Sequence, residues 1–315
     1  MPAAEISVVV ATRNRAQRLQ ALLESIRAQR GVAAELVVVD DGSDDGTPDL
    51  LRSWSDVKVE LQTIRHPRSR GPAAARNAGW RASGAPLIVF VDDDVTADPD
   101  WLAALVSAHR EHPEAFIQGR VEPDRGELER ARVYWTSRAV YESGPWYPSC
   151  NIAYPRALLE RLAGFDESYL NPAGEDTDLA WRALELGVPD AFAEDALVHH
   201  AVHSLGVVGL VRDARRWGDM VRVVKRHPGI RRHFVRRVFW VPTHERAFVL
   251  AAGLLLARRT RGASLLLALP YFELYRHHHS SLPRALVSLP GHLVGDLAQI
   301  ASLARASARH RTLVL

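Results

Sequence analysis

The stretch PLIVFVDDDV, residues 86–95, carries an apolar segment directly into three consecutive aspartates. An unbroken apolar run of this length is typical of a strand buried on both faces of a parallel sheet. Three adjacent carboxylates repel one another and gain nothing from packing. The stretch therefore predicts a buried strand, Leu87–Val91, that ends at a polar site.

Strand and helix signals alternate on the N-terminal side of this stretch. Ile6–Ala11 and Leu36–Val39 are further buried strands, and Val57–Ile64 alternates as a half-exposed strand does. Helical spacing of apolar residues marks the segments between them, 16–30, 48–54 and 72–83. This order predicts an α/β fold with a mostly parallel sheet flanked by helices, whose ligands bind beyond the carboxyl ends of the strands.

Polar clusters follow three of these strands: Thr12-Arg13-Asn14, Asp40-Asp41 and Asp92-Asp93-Asp94. Turn chemistry explains any one of them, but three in succession favour a single site formed by adjacent strand ends. Asp92 and Asp94 form an Asp-x-Asp pair, and two carboxylates that converge on one point call for a cation. The hard oxygen ligands suit Mn²⁺ or Mg²⁺.

The charge balance divides the chain into two regions. Residues 1–205 carry 21 Lys and Arg against 32 Asp and Glu, whereas residues 206–315 carry 19 against 5. The basic region is either a solvated surface or a surface for an anionic partner such as a phospholipid membrane. No nucleic-acid-binding motif is recognisable in it, so we expect no nucleic-acid partner.

Two apolar runs lie in the basic region, Ala247–Ala257 and Ala263–Phe272, with an arginine cluster between them. Each is shorter than the roughly 18–20 residues that span a bilayer. Two interpretations stay open: helices lying in a membrane interface, or a helical hairpin packed on the N-terminal region of the chain or on a second subunit. The nearby run His277–His279 is not assigned to a metal, because consecutive side chains on a helix face different ways.

The cellular location is predicted from the cysteine content and the N-terminal residues. Cys150 is the single cysteine, so no intrachain disulfide forms. The opening residues show no basic segment followed by an apolar run, and we expect no secretory signal. These features predict a cytoplasmic protein, peripheral on the inner face of the cytoplasmic membrane if the apolar helices bind lipid.

Six motifs, taken together and in order, closely resemble the family 2 glycosyltransferases with a GT-A fold. They are VVVATRNR (8–15), ELVVVDDGSDDGT (35–47), RGPAAARNAGW (70–80), PLIVFVDDDV (86–95), GFDE (164–167) and GEDTDLAWR (174–182). The resemblance implies a catalytic domain over residues 1–205, with a nucleotide-sugar half at about 1–100 and an acceptor half at about 101–205. Residues 206–315 then form a helical, basic C-terminal extension.

The resemblance also implies the reaction. It is the inverting transfer of a sugar from a UDP-, dTDP- or GDP-sugar to an acceptor hydroxyl, with Mn²⁺ or Mg²⁺. The acceptor is a carbohydrate or is lipid-linked, and the setting is the synthesis of cell-envelope polysaccharide or glycolipid.

Site residues are carried over position by position. Asp176 is expected to be the general base, with Glu175 beside it in the catalytic motif. Asp94 is expected to bind the metal directly, with Asp92 and His199, the last preferred over His200. Residues assigned to the nucleotide-sugar are Ala11, Thr12, Arg13, Asn14, Asp40, Asp41, Arg76, Asp92 and Asp93. Asp93 holds the variable middle position, where a side chain is expected to point away. Acceptor or lid positions are Trp146, Asn151, Arg216 and Trp217.

Three alternatives remain at this stage. A nucleotidyltransferase of similar fold would need a glycine-rich loop after the first strand, and ATRNR contains no glycine. A catalytically inactive sugar-binding or scaffold protein would be favoured by loss of the Asp-x-Asp pair or of Asp176, and all are present. For Glu175 and Asp176 alone, the alternative is simple stabilisation of a helix N-terminus.

Overall fold

The computed structural model describes residues 4–56, 59–276 and 282–315, so the histidine run 277–279 lies outside the described residues. Two compact units are present. The first runs up to Glu129 and resumes at Ser137–Val202, and the second comprises Arg130–Thr136 and His203–Leu315. The boundary predicted from the sequence is residue 205, and in the structure the segment 130–136 groups with the second unit. That segment joins the second unit because its strand pairs with the strand that begins at His203.

The strands, in chain order, are β1 (Ile6–Thr12), β2 (Ala34–Asp40), β3 (Glu60–Arg65), β4 (Leu87–Asp92), β5 (Val95–Ala97), β6 (Phe116–Pro123), β7 (Tyr134–Thr136), β8 (Asn151–Pro155), β9 (Asp190–His200) and β10 (His203–Leu205). The helices of the first unit are α1 (Ala16–Arg27), α2 (Thr47–Ser53), α3 (Pro72–Ala82), α4 (Trp101–Glu111), α5 (Arg125–Arg130), α6 (Arg156–Leu162) and α7 (Glu175–Glu185). Those of the second are α8 (Val207–Ala214), α9 (Met220–Arg226), α10 (Pro242–Leu256), α11 (Leu269–Arg276) and α12 (Leu282–His310).

An eight-stranded sheet in the order β3-β2-β1-β4-β8-β6-β9-β5 forms the centre of the first unit. β3, β2, β1 and β4 run parallel, so their carboxyl ends lie at one edge. β8 joins β4 in antiparallel orientation, and β6 and β9 run parallel to each other beyond it. The predicted α/β fold with a flanked, mostly parallel sheet is confirmed; β6 was not foreseen in the middle region, where the sequence signals are mixed.

Packing against the sheet explains why the strands contain unbroken apolar runs. Val8, Val38 and Val89 are fully buried in one cluster with the apolar face of α1. On α3, Gly79 permits close contact with the sheet, because a Cβ there would lie 2.4 Å from Val9 Cγ1. Helices therefore bury both faces of the parallel half.

The second unit is helical apart from the β7–β10 pair. In it, Asp296 of α12 accepts hydrogen bonds from the hydroxyls of Tyr271 (2.7 Å) and Tyr275 (2.9 Å), and Thr243 lies 3.2 Å away. This network ties α10, α11 and α12 together. Within the described ranges, no helix combines the length and apolar content that a membrane crossing requires.

Candidate active site

Strand register brings the predicted polar clusters together. Ala11 of β1 lies opposite Asp92 of β4, and Thr12 lies opposite Asp40 of β2. The polar residues that end these strands therefore occupy one edge of the sheet, as the sequence predicts. Each strand contributes its last side chains because the strand run is apolar and buried up to that point.

Asp93, the middle aspartate, points into the protein. It is 5% exposed, and its Oδ2 accepts a hydrogen bond of 2.7 Å from Thr12 Oγ1. The Arg15 guanidinium lies 3.1 Å from Asp93 Oδ1 and 2.5 Å from Asp94 Oδ2. Burial raises the pKa of Asp93 to about 7, although Arg15 opposes the shift. Its contacts are those of a residue that fixes the strand end, so the geometry gives it no direct place on a nucleotide.

The histidine beside Asp94 is His200, whose Nε2 lies 3.6 Å from Asp94 Oδ1. His199 instead places its Nε2 3.1 Å from Asp98 Oδ1. His200 rather than His199 thus lies beside Asp94, and metal binding by His199 stays a prediction. Successive side chains of a strand point to opposite faces, and the pairing of β9 with β5 sets His200 opposite Val95, next to Asp94.

Arg76 connects the strand-end aspartates to the second acidic motif. Its guanidinium donates to Asp92 Oδ1 and to Glu175 Oε1, each at 2.9 Å. Arg76 is 6% exposed and Glu175 2% exposed, whereas 31% of the Asp92 side chain is accessible. Asp92 is thus the carboxylate with an open face, and the ion pairs hold β4 and the start of α7 together.

Glu175 is a buried acid. Burial and then the charge of Asp176 raise its pKa to about 7. Its Oε2 has no hydrogen-bond partner among the described residues. Glu175 and Asp176 both lie in the first turn of α7, where negative charge also stabilises the helix N-terminus. The contacts of Glu175 make it a partner of Arg76 rather than a group that faces substrate.

Asp176 is half-buried and is oriented by the backbone. Its Oδ1 accepts from the Thr177 N–H at 2.8 Å and its Oδ2 from the Ser149 N–H at 3.3 Å. Burial raises the pKa of Asp176, and the Arg76 guanidinium limits the rise. Thr177 Oγ1 also donates to the Trp146 carbonyl at 2.7 Å, which sets the predicted acceptor residue Trp146 against the start of α7.

Asp41 fastens the loop that follows β3. It accepts from Ser69 Oγ (2.6 Å), from the N–H groups of Arg70 and Gly71, and contacts His66 Nδ1 at 2.7 Å. Burial alone would raise the pKa of Asp41, but these hydrogen bonds bring it below its usual range. Its carboxylate is thus largely occupied by protein donors, and recognition of a base by Asp41 stays a prediction.

The remaining residues of this edge have varied surroundings. Asp40 is buried, accepts from the Ser43 N–H and lies 3.2 Å from Arg65. Arg13 and Asn14 are exposed. The Asn14 side-chain oxygen accepts from the Asp44 N–H at 2.8 Å, which links the loop after β1 to the loop after β2.

Asn151 is fully buried, and its acceptor role stays a prediction. Its Oδ1 accepts from Trp101 Nε1 at 2.9 Å, and its Nδ2 donates to the carbonyls of Arg120 and Ala196. The polar side chain satisfies backbone groups inside the sheet and has no exposed surface for a ligand.

The predicted lid residues belong to the second unit. Arg216 forms an ion pair of 2.9 Å with Asp213 and lies over the Trp217 ring at 4.8 Å. Trp217 in turn packs against Trp240, with ring centroids 5.7 Å apart. A role for Arg216 and Trp217 at the donor site stays a prediction.

Sequence reasoning missed Arg15 and His66. Arg15 follows the TRN cluster directly and is the cation that pairs with Asp93 and Asp94. His66 follows β3 and pairs with Asp41. The signal available for both was position, since each comes just after a strand that ends at the same edge of the sheet.

The arrangement suits two kinds of chemistry. Asp94 and His200 offer oxygen and imidazole ligands, and partly accessible Asp92 lies on the same strand end; such a set suits a divalent ion. Asp176, oriented by two N–H groups and partly open to solvent, suits a general base. The Arg76 ion pairs join the strand end that carries Asp92 to the start of α7, where Asp176 lies.

Comparison with known proteins relates this geometry to a family. The model of the family described as "Glycosyl transferase family 2" matches residues 7–164. The chain is 30% identical over 236 residues to the pre-mycofactocin glycosyltransferase of Mycobacterium tuberculosis, covering 71% of this chain and 48% of the relative. The chain thus spans about half the length of that relative.

Solved structures show the same fold. A mannosyltransferase from Pyrobaculum calidifontis, solved in complex with GDP-Man and Mn²⁺, superposes with a TM-score of 0.61 at 21% identity, covering 98% of this chain and 87% of that one. TarS from S. aureus, in complex with UDP-GlcNAc, gives a TM-score of 0.56 at 17% identity, covering 98% and 92%.

Proposed function

Because the chain belongs to glycosyl transferase family 2, we propose that it is an inverting glycosyltransferase. It moves a sugar from a UDP-, dTDP- or GDP-sugar to an acceptor hydroxyl. The acceptor is a carbohydrate or is lipid-linked, in the synthesis of cell-envelope polysaccharide or glycolipid. The sugar transfer takes place in the cytoplasm, at the inner face of the cytoplasmic membrane.

One observation carries this proposal. Arg76 joins Asp92, at the end of the Asp-x-Asp strand, to Glu175, the neighbour of Asp176. This contact supports the proposal that a donor site at the strand ends lies next to a base at the start of α7. The placement agrees with the general rule that ligands of open α/β sheets bind beyond the carboxyl ends of the strands.

Asp176 takes the proton of the acceptor hydroxyl in this proposal. The N–H groups of Thr177 and Ser149 fix its carboxylate, and Arg76 favours the ionised form that a base requires. The acceptor oxygen attacks the anomeric carbon as the bond to the diphosphate breaks. A single displacement without a covalent intermediate inverts the anomeric configuration.

Asp94 and His200, with the open face of Asp92, would hold Mn²⁺ or Mg²⁺. When bound, such an ion supplies Lewis-acid stabilisation of a diphosphate leaving group. The donor set supports this assignment, since carboxylates suit Mg²⁺ and Mn²⁺, and an imidazole extends the set to transition ions. Arg15 meanwhile balances the charge of Asp93 and Asp94 within the protein.

The test is release of nucleoside diphosphate by the purified chain from a panel of uridine, thymidine and guanosine nucleotide-sugars with Mn²⁺ or Mg²⁺. Asp94→Ala and Asp176→Asn are each expected to abolish release. Asp195→Asn, at an exposed aspartate of β9, is the matched control and is expected to behave as the unmodified protein. Normal turnover by both site variants would overturn the assignment.

The reaction products in this assay distinguish the glycosyltransferase from the two alternative functions. A nucleotidyltransferase releases pyrophosphate rather than nucleoside diphosphate, and a sugar-binding or scaffold protein binds donor without turnover. No observation in the structure favours either over the transferase.

A further inference from the structure

A hairpin in the second unit presents apolar side chains to solvent. More than half of the exposed large apolar side chains of the described residues lie between residues 248 and 297. The densest group flanks one turn: Leu254, Leu255 and Leu256 at the end of α10, and Leu265, Leu266 and Leu267 after it. Leu255 is 82% exposed and Leu266 68%. We call residues 253–267 the leucine–arginine hairpin.

Contacts inside this hairpin show that it is a closed structure. Ser264 Oγ donates to the Gly253 carbonyl at 2.7 Å, and Thr260 Oγ1 donates to Ser264 Oγ at 2.8 Å. A Cβ at Gly253 would lie 2.6 Å from the Ser264 carbonyl oxygen, so the two arms touch through their backbones. The inner face is thus satisfied by its own hydrogen bonds, and the leucines form the outer face.

The turn itself is basic. Arg258, Arg259 and Arg261 are exposed there, and residues 247–272 contain no acidic residue. Exposed leucines beside a cluster of arginines match an anionic lipid surface, where apolar side chains enter the boundary between headgroups and acyl chains and arginines meet phosphates.

We propose that the leucine–arginine hairpin docks this protein on the surface of an anionic bilayer. The proposal deepens the membrane location in the proposed function by naming the surface responsible. A second copy of the chain fits this surface less well, because a two-fold contact through it would bring the same arginines of both copies together. The hairpin does not cross the bilayer, which agrees with the described helices.

The test is flotation of the full chain with phosphatidylcholine vesicles that contain phosphatidylglycerol, compared with pure phosphatidylcholine. The unmodified protein is expected to float with the anionic vesicles and to lose affinity as salt is raised. The double variant Leu255→Glu/Leu266→Glu is expected to lose at least about tenfold in affinity, because it places two charges in the apolar layer. The triple alanine variant at Arg258, Arg259 and Arg261 is expected to lose about fivefold per arginine.

Leu186→Glu is the matched control, since Leu186 is an exposed leucine of the first unit and is expected to leave flotation unchanged. All positions are exposed, so a melting curve should show that each variant folds. Failure of the unmodified protein to float, or equal flotation by the double leucine variant, would overturn the proposal. A leucine variant that changes only the oligomeric state, measured by light scattering, would also overturn it in favour of a second copy.

A separate measurement distinguishes this proposal from the transferase assignment. Release of nucleoside diphosphate from a donor in the absence of vesicles is expected to be the same in the hairpin variants and in the unmodified protein. A protein that floats but never turns over donor would contradict the proposed activity alone. Turnover without flotation would contradict the docking surface alone.

Discussion

Replacement of Arg76 by methionine tests whether its ion pairs hold the site together. The change keeps an unbranched side chain of similar length and removes the guanidinium that lies 2.9 Å from both Asp92 and Glu175. Glu175 is then a buried carboxylate without its cation, while Asp92 keeps partial access to water. The greater part of the cost is therefore expected from Glu175.

Removal of one partner from a buried ion pair costs about 3 to 5 kcal/mol, and we expect a loss in this range for the free energy of unfolding near pH 8. The loss should be smaller near pH 5. Glu175 has a pKa of about 7 in the folded protein, above its ordinary value near 4.3, so its ionisation lowers stability as pH rises between these values. Loss of Arg76 raises the pKa of Glu175 further, and each pKa unit corresponds to about 1.4 kcal/mol of stability. The difference in the free energy of unfolding between the variant and the unmodified protein therefore widens as pH rises.

Urea unfolding, followed by tryptophan fluorescence at both pH values, measures the effect. Arg81→Met on the same helix is the control, because Arg81 is half-exposed and its contact with partly exposed Glu167 is 3.4 Å; we expect a loss below about 1 kcal/mol. A loss for Arg76→Met that is equally large at the two pH values, or no larger than that of the control, would refute the reasoning.

Three further outcomes follow from the geometry. Asp94→Ala should abolish metal-dependent nucleotide release, whereas Asp93→Asn should retain most of it, because Asp93 points into the protein and an amide oxygen still accepts from a hydroxyl; equal losses would contradict this division. Asn151→Ala should lower the free energy of unfolding by about 3 kcal/mol, because it leaves buried polar groups without hydrogen-bond partners and each such group costs about 1–3 kcal/mol; an unchanged urea midpoint would contradict its structural role. Gly79→Ala should cost about 1–3 kcal/mol through its clash with Val9, and thermal melting that matches the unmodified protein would show that α3 shifts freely.

The parallel half of the sheet was predictable because its signals are local. Apolar runs mark the strands, and polar residues mark where each run ends at Thr12, Asp40 and Asp92. Parallel pairing then forces these ends to one edge, and the observed register confirms it. The meeting of these polar strand ends could therefore be predicted without knowing any contact between distant segments.

Other features could not be predicted because they depend on contacts between segments that are distant in sequence. The choice between His199 and His200 depends on how β9 pairs with β5, more than a hundred residues earlier in the chain. The burial of Asn151 could not be predicted, because its hydrogen-bond partners come from segments on both sides of it in sequence. The grouping of residues 130–136 with the second unit depends on the pairing of β7 with β10, which comes much later in the chain.

The hydrogen bonds of Asn151 also bear on the order in which the chain folds. They reach Trp101, Arg120 and Ala196, at sequence separations of 50, 31 and 45 residues. The strands β1 to β4 pair with one another and are complete once residue 92 has been synthesised. Asn151, by contrast, can donate to the Ala196 carbonyl only after residue 196 has been synthesised. Contacts of long sequence separation form slowly because loop closure precedes any gain. During synthesis, the parallel half of the sheet is thus expected to gain structure first, and the assembly of the antiparallel half is expected to be the slow step.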